Sequence, residues 1–425
     1  MSTTDRVLRG VAEAIEHIEG ICFKTGPPRW IGAELEWTTH RAGDPAAYLR
    51  PEELSAALGG HTPASLGNPE PRPLPGGGPV TVEPGGQVEI SSAPAESLTA
   101  LHAAVTADHT ALTELLARGG IELGDHGIDP HRAPRRILDT PRYAAMEHAF
   151  DEAGRTMMGS TAGLQVCLDA GEGAAVASRW AAVHEFGPPL VALFANSPRH
   201  AGRDTGWASA RMAAWYGIDR RRTAPAYVPS GRDDPARDWA RYALDAPLLC
   251  VRRDSGDWTA PAGLTFAGWI TTGRLGAEDR PPTVADLDYH LNTLFPPVRP
   301  RGYLEVRYLD TQPGEEWIAP VAAVAALFAD DTVTDRGREI AAPAADRWLP
   351  AARDGLRDPV VRAAATGLAE LACRNLDRTG LPEAVRDRVS GVLSRRLRSY
   401  PEIPKRTASG PLDRYPAPSV EGTAR

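Results

Sequence analysis

Gly32–Trp37, GAELEW, alternates Ala33, Leu35 and Trp37 with Glu34 and Glu36. A period of two belongs to a β-strand, whose successive side chains leave opposite faces. Three further runs repeat it. Leu164–Asp169 (LQVCLD) sets Leu164, Val166 and Leu168 against Gln165, Cys167 and Asp169. Tyr303–Leu309 (YLEVRYL) sets Leu304, Val306 and Tyr308 against Tyr303, Glu305 and Arg307. Val80–Ser92 (VTVEPGGQVEISS) carries Glu83 and Glu89 about a Pro-Gly-Gly interruption. Each run has one apolar face and one ionisable face, the pattern of an antiparallel sheet packed on one side only.

A face that merely meets water would explain any one of these strands. It does not explain the residue choice. Solvated faces mix Thr, Lys, Ser and Arg, whereas here glutamates recur at i, i+2, where like charges repel unless a cation lies between them. Glu34, Glu36, Glu83, Glu89 and Glu305, with Arg307 beside them, point to a Mg²⁺ site facing a phosphate.

The chain has 425 residues, 42% hydrophobic and 24% charged, which suffices for a sizeable core. A net charge of −8 leaves no electrostatic footprint for nucleic acid or an anionic membrane. Among 47 basic residues only Lys24 and Lys405 are lysines, so a Schiff-base or P-loop lysine has almost no candidate. Phosphate must then be handled by arginine and metal. The four cysteines, Cys22, Cys167, Cys250 and Cys373, form no CxxC pair and no zinc spacing. Cys167 falls on the polar face and reads as a buried filler rather than a redox switch. The N-terminal residues read as an amphipathic helix, not a signal peptide, and the apolar run Ile318–Ala329 is too short to span a bilayer. A monomer in the cytoplasm is expected.

Residues 61–79 (HTPASLGNPEPRPLPGGGP) read as a flexible Pro/Gly loop, and 399–425 as a disordered tail. No other linker interrupts the chain, so one catalytic domain over 1–398 is expected. Helices are expected over 97–119, from Asp234–Pro235 and from Pro282–Thr283, with Asp286 at a cap-like spacing from Thr283. Residues 315–396 read as Ala-rich helix without chemistry. Gly159–Gly163 (GSTAG) outlines a nucleophile elbow but has Thr161 at its centre and precedes a strand, the wrong order.

Several motifs also resemble a family. TVEPGGQVEISS (81–92), RYAAMEHAF (142–150), ANSP (195–198), DWARYAL (238–244) and, most specifically, TVADLDYHLNTLFPPVRPRGYLEVRYLD (283–310) are similar to the actinobacterial glutamate–cysteine ligases, in the same order. Within these the chain resembles the ergothioneine-pathway branch of the plant-type group. The resemblance implies an α+β fold related to glutamine synthetase: a curved, mainly antiparallel sheet with a concave polar active-site face and helices behind. It implies ATP and Mg²⁺ as cofactors, L-glutamate and L-cysteine as substrates, and γ-glutamylcysteine as product. The same fold could serve another amine acceptor, and the same glutamates could serve a metal-dependent phosphohydrolase.

With those substrates, the five glutamates become metal ligands and Arg307, two residues after Glu305, stabilises the transferring phosphoryl group. An ordinary strand ion pair is the other reading of Arg307. Arg241 is expected to bind the glutamate α-carboxylate through its planar fork, against a helix-surface pair with Asp238 or Asp245. Arg142 and Arg211 are weaker choices for that task. Gln165 and Asn196 are candidates for orienting substrate, although neutral amides at such places usually serve structure. Asp288 and His290 are weak candidates to face the site, and Trp239 with Tyr242 reads as core.

Overall fold

The computed structural model describes residues 6–227 and 234–398. The expected tail at 399–425 lies outside the described residues. The centre of the molecule is a six-stranded open sheet made of β1 (Ile31–Trp37), β2 (Val80–Val82), β3 (Val88–Ser91), β4 (Gly163–Leu168), β5 (Val298–Pro300) and β6 (Leu304–Asp310). Its spatial order is β5-β6-β4-β1-β3-β2, and every pairing is antiparallel. The fold is α+β, and the four alternating runs supply all of the sheet except its short edge strand β5.

Alternation is realised side chain by side chain. On β1, Ala33, Leu35 and Trp37 are buried, while Glu34 and Glu36 are half-buried on the other face. One departure could not be read from spacing. β6 slips register between Val306 and Leu309, so Tyr308, Leu309 and Asp310 are all buried in succession. Such a bulge re-aims the residues that follow it.

The apolar face packs on helices. Leu98–Arg118, whose first turn is capped by the Ser97 hydroxyl accepting from the Ala100 N–H at 3.1 Å, lays Leu101, Val105, Leu112 and Leu116 in the core and contacts β1 and β3. The fully buried helix Gly187–Phe194 contacts β6 and is itself covered by Trp348–Asp354 and Pro359–Arg374. The region 315–396 is helical as expected, and Ile318–Leu327 is almost wholly buried. Among the described residues no single helix is long and apolar enough to cross a membrane.

A second hydrophobic cluster brings together Met146 and Met157 of helix Pro141–Ser160, Ala210, Ala213 and Ala214 of helix Ala210–Tyr216, and Phe295. Trp215, from that cluster, lies against Arg307 on the polar face, so the ionisable groups sit between two hydrophobic bodies. The 61–79 loop contains no long element but is anchored. Leu74 is buried, and the Asp108 carboxylate accepts from the Gly76 and Gly78 N–H groups at 2.5 and 2.9 Å. Thr283 and Asp286 form a reciprocal capping box at the start of Val284–Leu291, which gives Asp286 its structural role.

β2 and β3 form a tight hairpin through Glu83–Gly86, closed by a Gly86 N–H bond to the Glu83 carbonyl at 2.9 Å, with Gly86 at φ 90°. A Cβ on Gly85 would run into the Gly159 carbonyl, a backbone group that cannot swing aside. Gly85→Ala is therefore expected to destabilise the protein by about 1–3 kcal/mol through overpacking. Urea melts of both proteins check this, and equal midpoints would show that the hairpin has room there.

Candidate active site

Strand register places the polar side chains in three rows across one face. In the first, Arg299 of β5 lies opposite Glu305 of β6, which lies opposite Cys167 of β4, which lies opposite Gly32 of β1. The second row is Gln165, Glu34 and Ser91. The third is Glu36, Glu89 and Thr81. Directly opposite side chains in antiparallel strands interact, so these rows fix which charges must coexist.

The first row is balanced. Glu305 is fully buried, and Arg299 grips it with two bonds, at 2.7 and 3.2 Å. Arg307 adds a bond at 3.1 Å and reaches Gln165 Oε1 at 2.9 Å with the same nitrogen. Burial alone would push the Glu305 carboxyl up, but Arg299 and Arg307 outweigh it and hold the group down at about 2. Arg307 is a strand ion pair, and its guanidinium lies among these carboxylates. Arg299 was not anticipated. The signal was present in the hairpin VRPRGYLEVR, where β5 folding back on β6 sets Arg299 opposite Glu305.

The other two rows are not balanced. Burial, then Glu89 and Glu305, raise Glu34 to about 7. Glu89 is raised to about 7 by burial and then Glu83, despite bonds from the Thr81 and Ser91 hydroxyls at 3.0 and 3.1 Å. Glu36, which accepts from the Gly163 N–H at 2.9 Å, is raised well above the usual range by burial and by Glu83 and Glu89. Burial also raises Glu83, with Arg142 and Arg307 opposing.

The wall over this face is formed in part by helix Ala210–Tyr216. Arg211 is buried, donates to the Arg307 carbonyl at 2.9 Å, and lies so near Gly163 that a side chain there would collide with its guanidinium. Arg211 Nε, Trp215 Nε1 and Tyr216 Oη are all buried without a hydrogen-bond partner. The Trp215 ring lies 5.8 Å from the Arg307 guanidinium carbon. At the Glu83 end stand Arg142, bonded to the Asn292 carbonyl at 2.8 Å, and Tyr143, raised to about 12 by burial and then by Glu83.

One face of the sheet thus gathers half-buried carboxylates raised in pKa beside an arginine-held glutamate. The model of glutamate-cysteine ligase family 2 matches residues 30–411, a span that includes all six strands. The chain belongs to that family. It is 41% identical over 372 residues to glutamate–cysteine ligase EgtA of Mycobacterium tuberculosis strain H37Rv, covering 85% of this chain and 83% of that protein. The chloroplastic glutamate–cysteine ligase of Arabidopsis thaliana is 30% identical over 326 residues, covering 72% of this chain and 61% of the plant protein. A crystal structure of glutamate–cysteine ligase from Francisella tularensis in complex with AMP shares the fold, with a TM-score of 0.50 at 13% identity over 88% of this chain and 83% of that one.

Within this family member the expected residues separate. Glu34, Glu36, Glu83, Glu89, Glu305, Gln165 and Arg307 converge, with Arg142 at the rim. Arg241 does not join them. It sits on helix Pro235–Asp245 with its side chain 45% exposed, pairs with Asp238 at 3.6 Å, and its helix packs on Val11–Cys22. Its i, i+3 spacing from Asp238 produces a surface pair. Asn196 is also spent on structure, donating to the Asp125 and Thr311 carbonyls at 2.6 and 3.0 Å. His290 is buried against the Ala243 carbonyl, and Asp288 pairs with His17 at 2.7 Å, so neither faces the carboxylates. Trp239 is fully buried and stacked on Tyr242, as core. Cys167 is half-buried, and its thiol is raised well above its usual range, first by desolvation and then by Glu305 and Glu34.

The donor chemistry suits Mg²⁺, though among the described residues no group of three or more His, Cys, Asp or Glu side chains is already set to hold an ion. Glu34, Glu36, Glu83 and Glu89 are hard oxygen donors whose mutual repulsion a divalent cation would relieve. Glu305 fits less well, because Arg299 and Arg307 already occupy its oxygens.

Two predictions follow from this electrostatics. A carboxylate raised in the fold stabilises the native state when protonated. That contribution is complete below the ordinary value of 4.5 and is lost as pH rises through about 7 for Glu34 and Glu89. Added Mg²⁺ should therefore raise the melting temperature more at pH 8 than at pH 5.5. A Mg²⁺ effect independent of pH in calorimetry would exclude these carboxylates as ligands. Separately, Arg241→Ala should leave the KM for glutamate within about twofold, as expected of an exposed ion pair, and a larger rise would restore it to the site.

Proposed function

We propose that this chain is an ATP-dependent glutamate–cysteine ligase that forms γ-glutamylcysteine through γ-glutamyl phosphate and supplies ergothioneine biosynthesis. The observation that carries the reading is the pairing of an uncompensated carboxylate face with the arginine-held Glu305, in a chain matching ligases of that name over most of its length. Joining a carboxylate to an amine in water is uphill. The γ-carboxylate oxygen therefore attacks the γ-phosphorus of ATP and ADP leaves. The cysteine amine then attacks the acyl carbon, phosphate departs, and the nitrogen gives up a proton.

The protein's part is positioning and charge neutralisation. Glu34, Glu36, Glu83 and Glu89 would hold Mg²⁺, which supplies neutralisation of the phosphates. Glu305 and Gln165 fix one edge of Arg307, leaving its remaining donors for the phosphoryl group in flight. Arg211, not Arg241, is our choice for a carboxylate of the bound glutamate, because its buried Nε has no partner within the protein. Arg142 is placed to offset charge at the Glu83 end. We take the working unit to be a cytoplasmic monomer, and sedimentation equilibrium at micromolar concentration would expose any larger assembly.

The test is ADP release by the purified chain with Mg²⁺-ATP and glutamate, adding cysteine or other amines singly and identifying products by mass. Cysteine-dependent turnover with the mass of γ-glutamylcysteine is expected. Glu305→Gln and Arg307→Ala should each lower kcat by roughly 10²–10³, the usual cost of losing an electrostatic stabiliser. Turnover only with a different amine would move the acceptor, and ADP release without any amino acid would replace the ligase by a phosphohydrolase.

A further inference from the structure

The bulge in β6 delivers Asp310 into the protein, 2% exposed, beside neither the metal-type carboxylates nor the surface. Its carboxylate is held from three directions. Oδ2 accepts from the Asn196 N–H at 2.8 Å and the Ser197 hydroxyl at 2.7 Å, while Oδ1 accepts from the Ser209 hydroxyl at 2.8 Å.

Each of those hydroxyls has a second bond. Ser197 Oγ accepts from the Arg211 N–H, and Ser209 Oγ from the Met212 N–H, both at 3.2 Å. These N–H groups open helix Ala210–Tyr216. The Ala210 N–H adds a bond to the Ser197 carbonyl at 3.0 Å. One carboxylate at the end of β6 thus fixes the start of the helix standing over the polar face, with two hydroxyls as intermediates. The same helix returns to β6 through Arg211, whose guanidinium donates to the Arg307 carbonyl at 2.9 Å. Asp310, Arg307 and Glu305 share one strand, so the helix is referenced to the strand that carries the arginine clamp.

What the helix presents explains why such referencing matters. Arg211 Nε, Trp215 Nε1 and Tyr216 Oη are buried donors with no acceptor in the protein. Leaving one buried donor unmet costs free energy, and three on one seven-residue helix, at positions 211, 215 and 216, point to an acceptor supplied from outside.

We propose that Asp310 is a positioning residue for the amino-acid substrate: through Ser197 and Ser209 it sets helix Ala210–Tyr216 so that Arg211, Trp215 and Tyr216 direct their free donors at a carboxylate of that substrate. This rests on the ligase reading above. Asp310 itself touches no substrate. A shift of the helix start by a fraction of an ångström would be passed to all three donors together, because all ride on the same two turns.

The experiment compares Asp310→Asn, Ser209→Ala and Ser209→Thr with the wild type, measuring KM for glutamate, KM for ATP, kcat and melting temperature. Asp310→Asn keeps the shape but turns an amide N–H₂ toward a hydroxyl that needs an acceptor. It should raise the KM for glutamate about tenfold or more while the KM for ATP stays within about twofold. Ser209→Ala should raise the glutamate KM about threefold, and Ser209→Thr, which retains the hydroxyl, should restore it. A purely structural Asp310 would lower the melting temperature and leave the glutamate KM of the folded fraction unchanged, and that result overturns the proposal. If Asp310→Asn does not fold, the Ser209 pair decides, and equal KM values for Ala and Thr overturn it. Failure of the wild type itself to ligate would remove the ligase reading and this inference together, an outcome distinct from normal turnover with unshifted variants.

Discussion

Repulsion among carboxylates governs this molecule. Glu34, Glu36, Glu83 and Glu89 converge on one face of the sheet, each half-buried and each raised in pKa. Arg142, Arg211 and Arg307 offset this only in part, and Arg299 is spent on Glu305 and the Leu294 carbonyl. The protein therefore holds an electrostatic tension that a folded chain alone does not resolve. The apolar face of the same sheet, packed on Leu98–Arg118 and Gly187–Phe194, supplies the burial that keeps those strands together regardless.

Two arrangements of charge thus lie side by side. The Arg299–Glu305–Arg307 group is complete and stays ionised across ordinary pH, since Glu305 is held at about 2. The neighbouring rows are incomplete, with Glu34 and Glu89 raised to about 7. A rigid reference next to a responsive pocket is what phosphoryl transfer requires, because the guest's charge must be met by groups that do not have to rearrange.

The sheet was legible because period-two alternation is imposed by backbone geometry, so GAELEW, LQVCLD and YLEVRYL declare both strand and face. Helices with caps at Asp234 and Thr283 were legible for a similar reason: the first turn needs those oxygens. What could not be read depends on contacts distant in sequence. The β6 bulge that buries Asp310 leaves no periodic trace, whereas Arg299, only six residues before Glu305, could have been read from the hairpin that pairs β5 with β6. Arg241 stands apart from the carboxylates in a surface pair with Asp238, a placement spacing does not settle because a fork-shaped cation on an amphipathic helix looks the same whether it faces substrate or water. Arg211 lay on a helix of seven residues, too short to show which side it buries.

The three-row arrangement also bears on how the chain reaches its fold. β1 sits between β4 and β3, with Glu34 and Glu36 interleaved among Ala33, Leu35 and Trp37. Sliding β1 by one residue against either neighbour would turn both glutamates into the hydrocarbon side and bring Leu35 and Trp37 out among the remaining carboxylates. A mispaired central strand would carry buried charge with no partner, a cost that favours the native register. The residues that make the site electrostatically demanding also dictate how its middle strand must be paired.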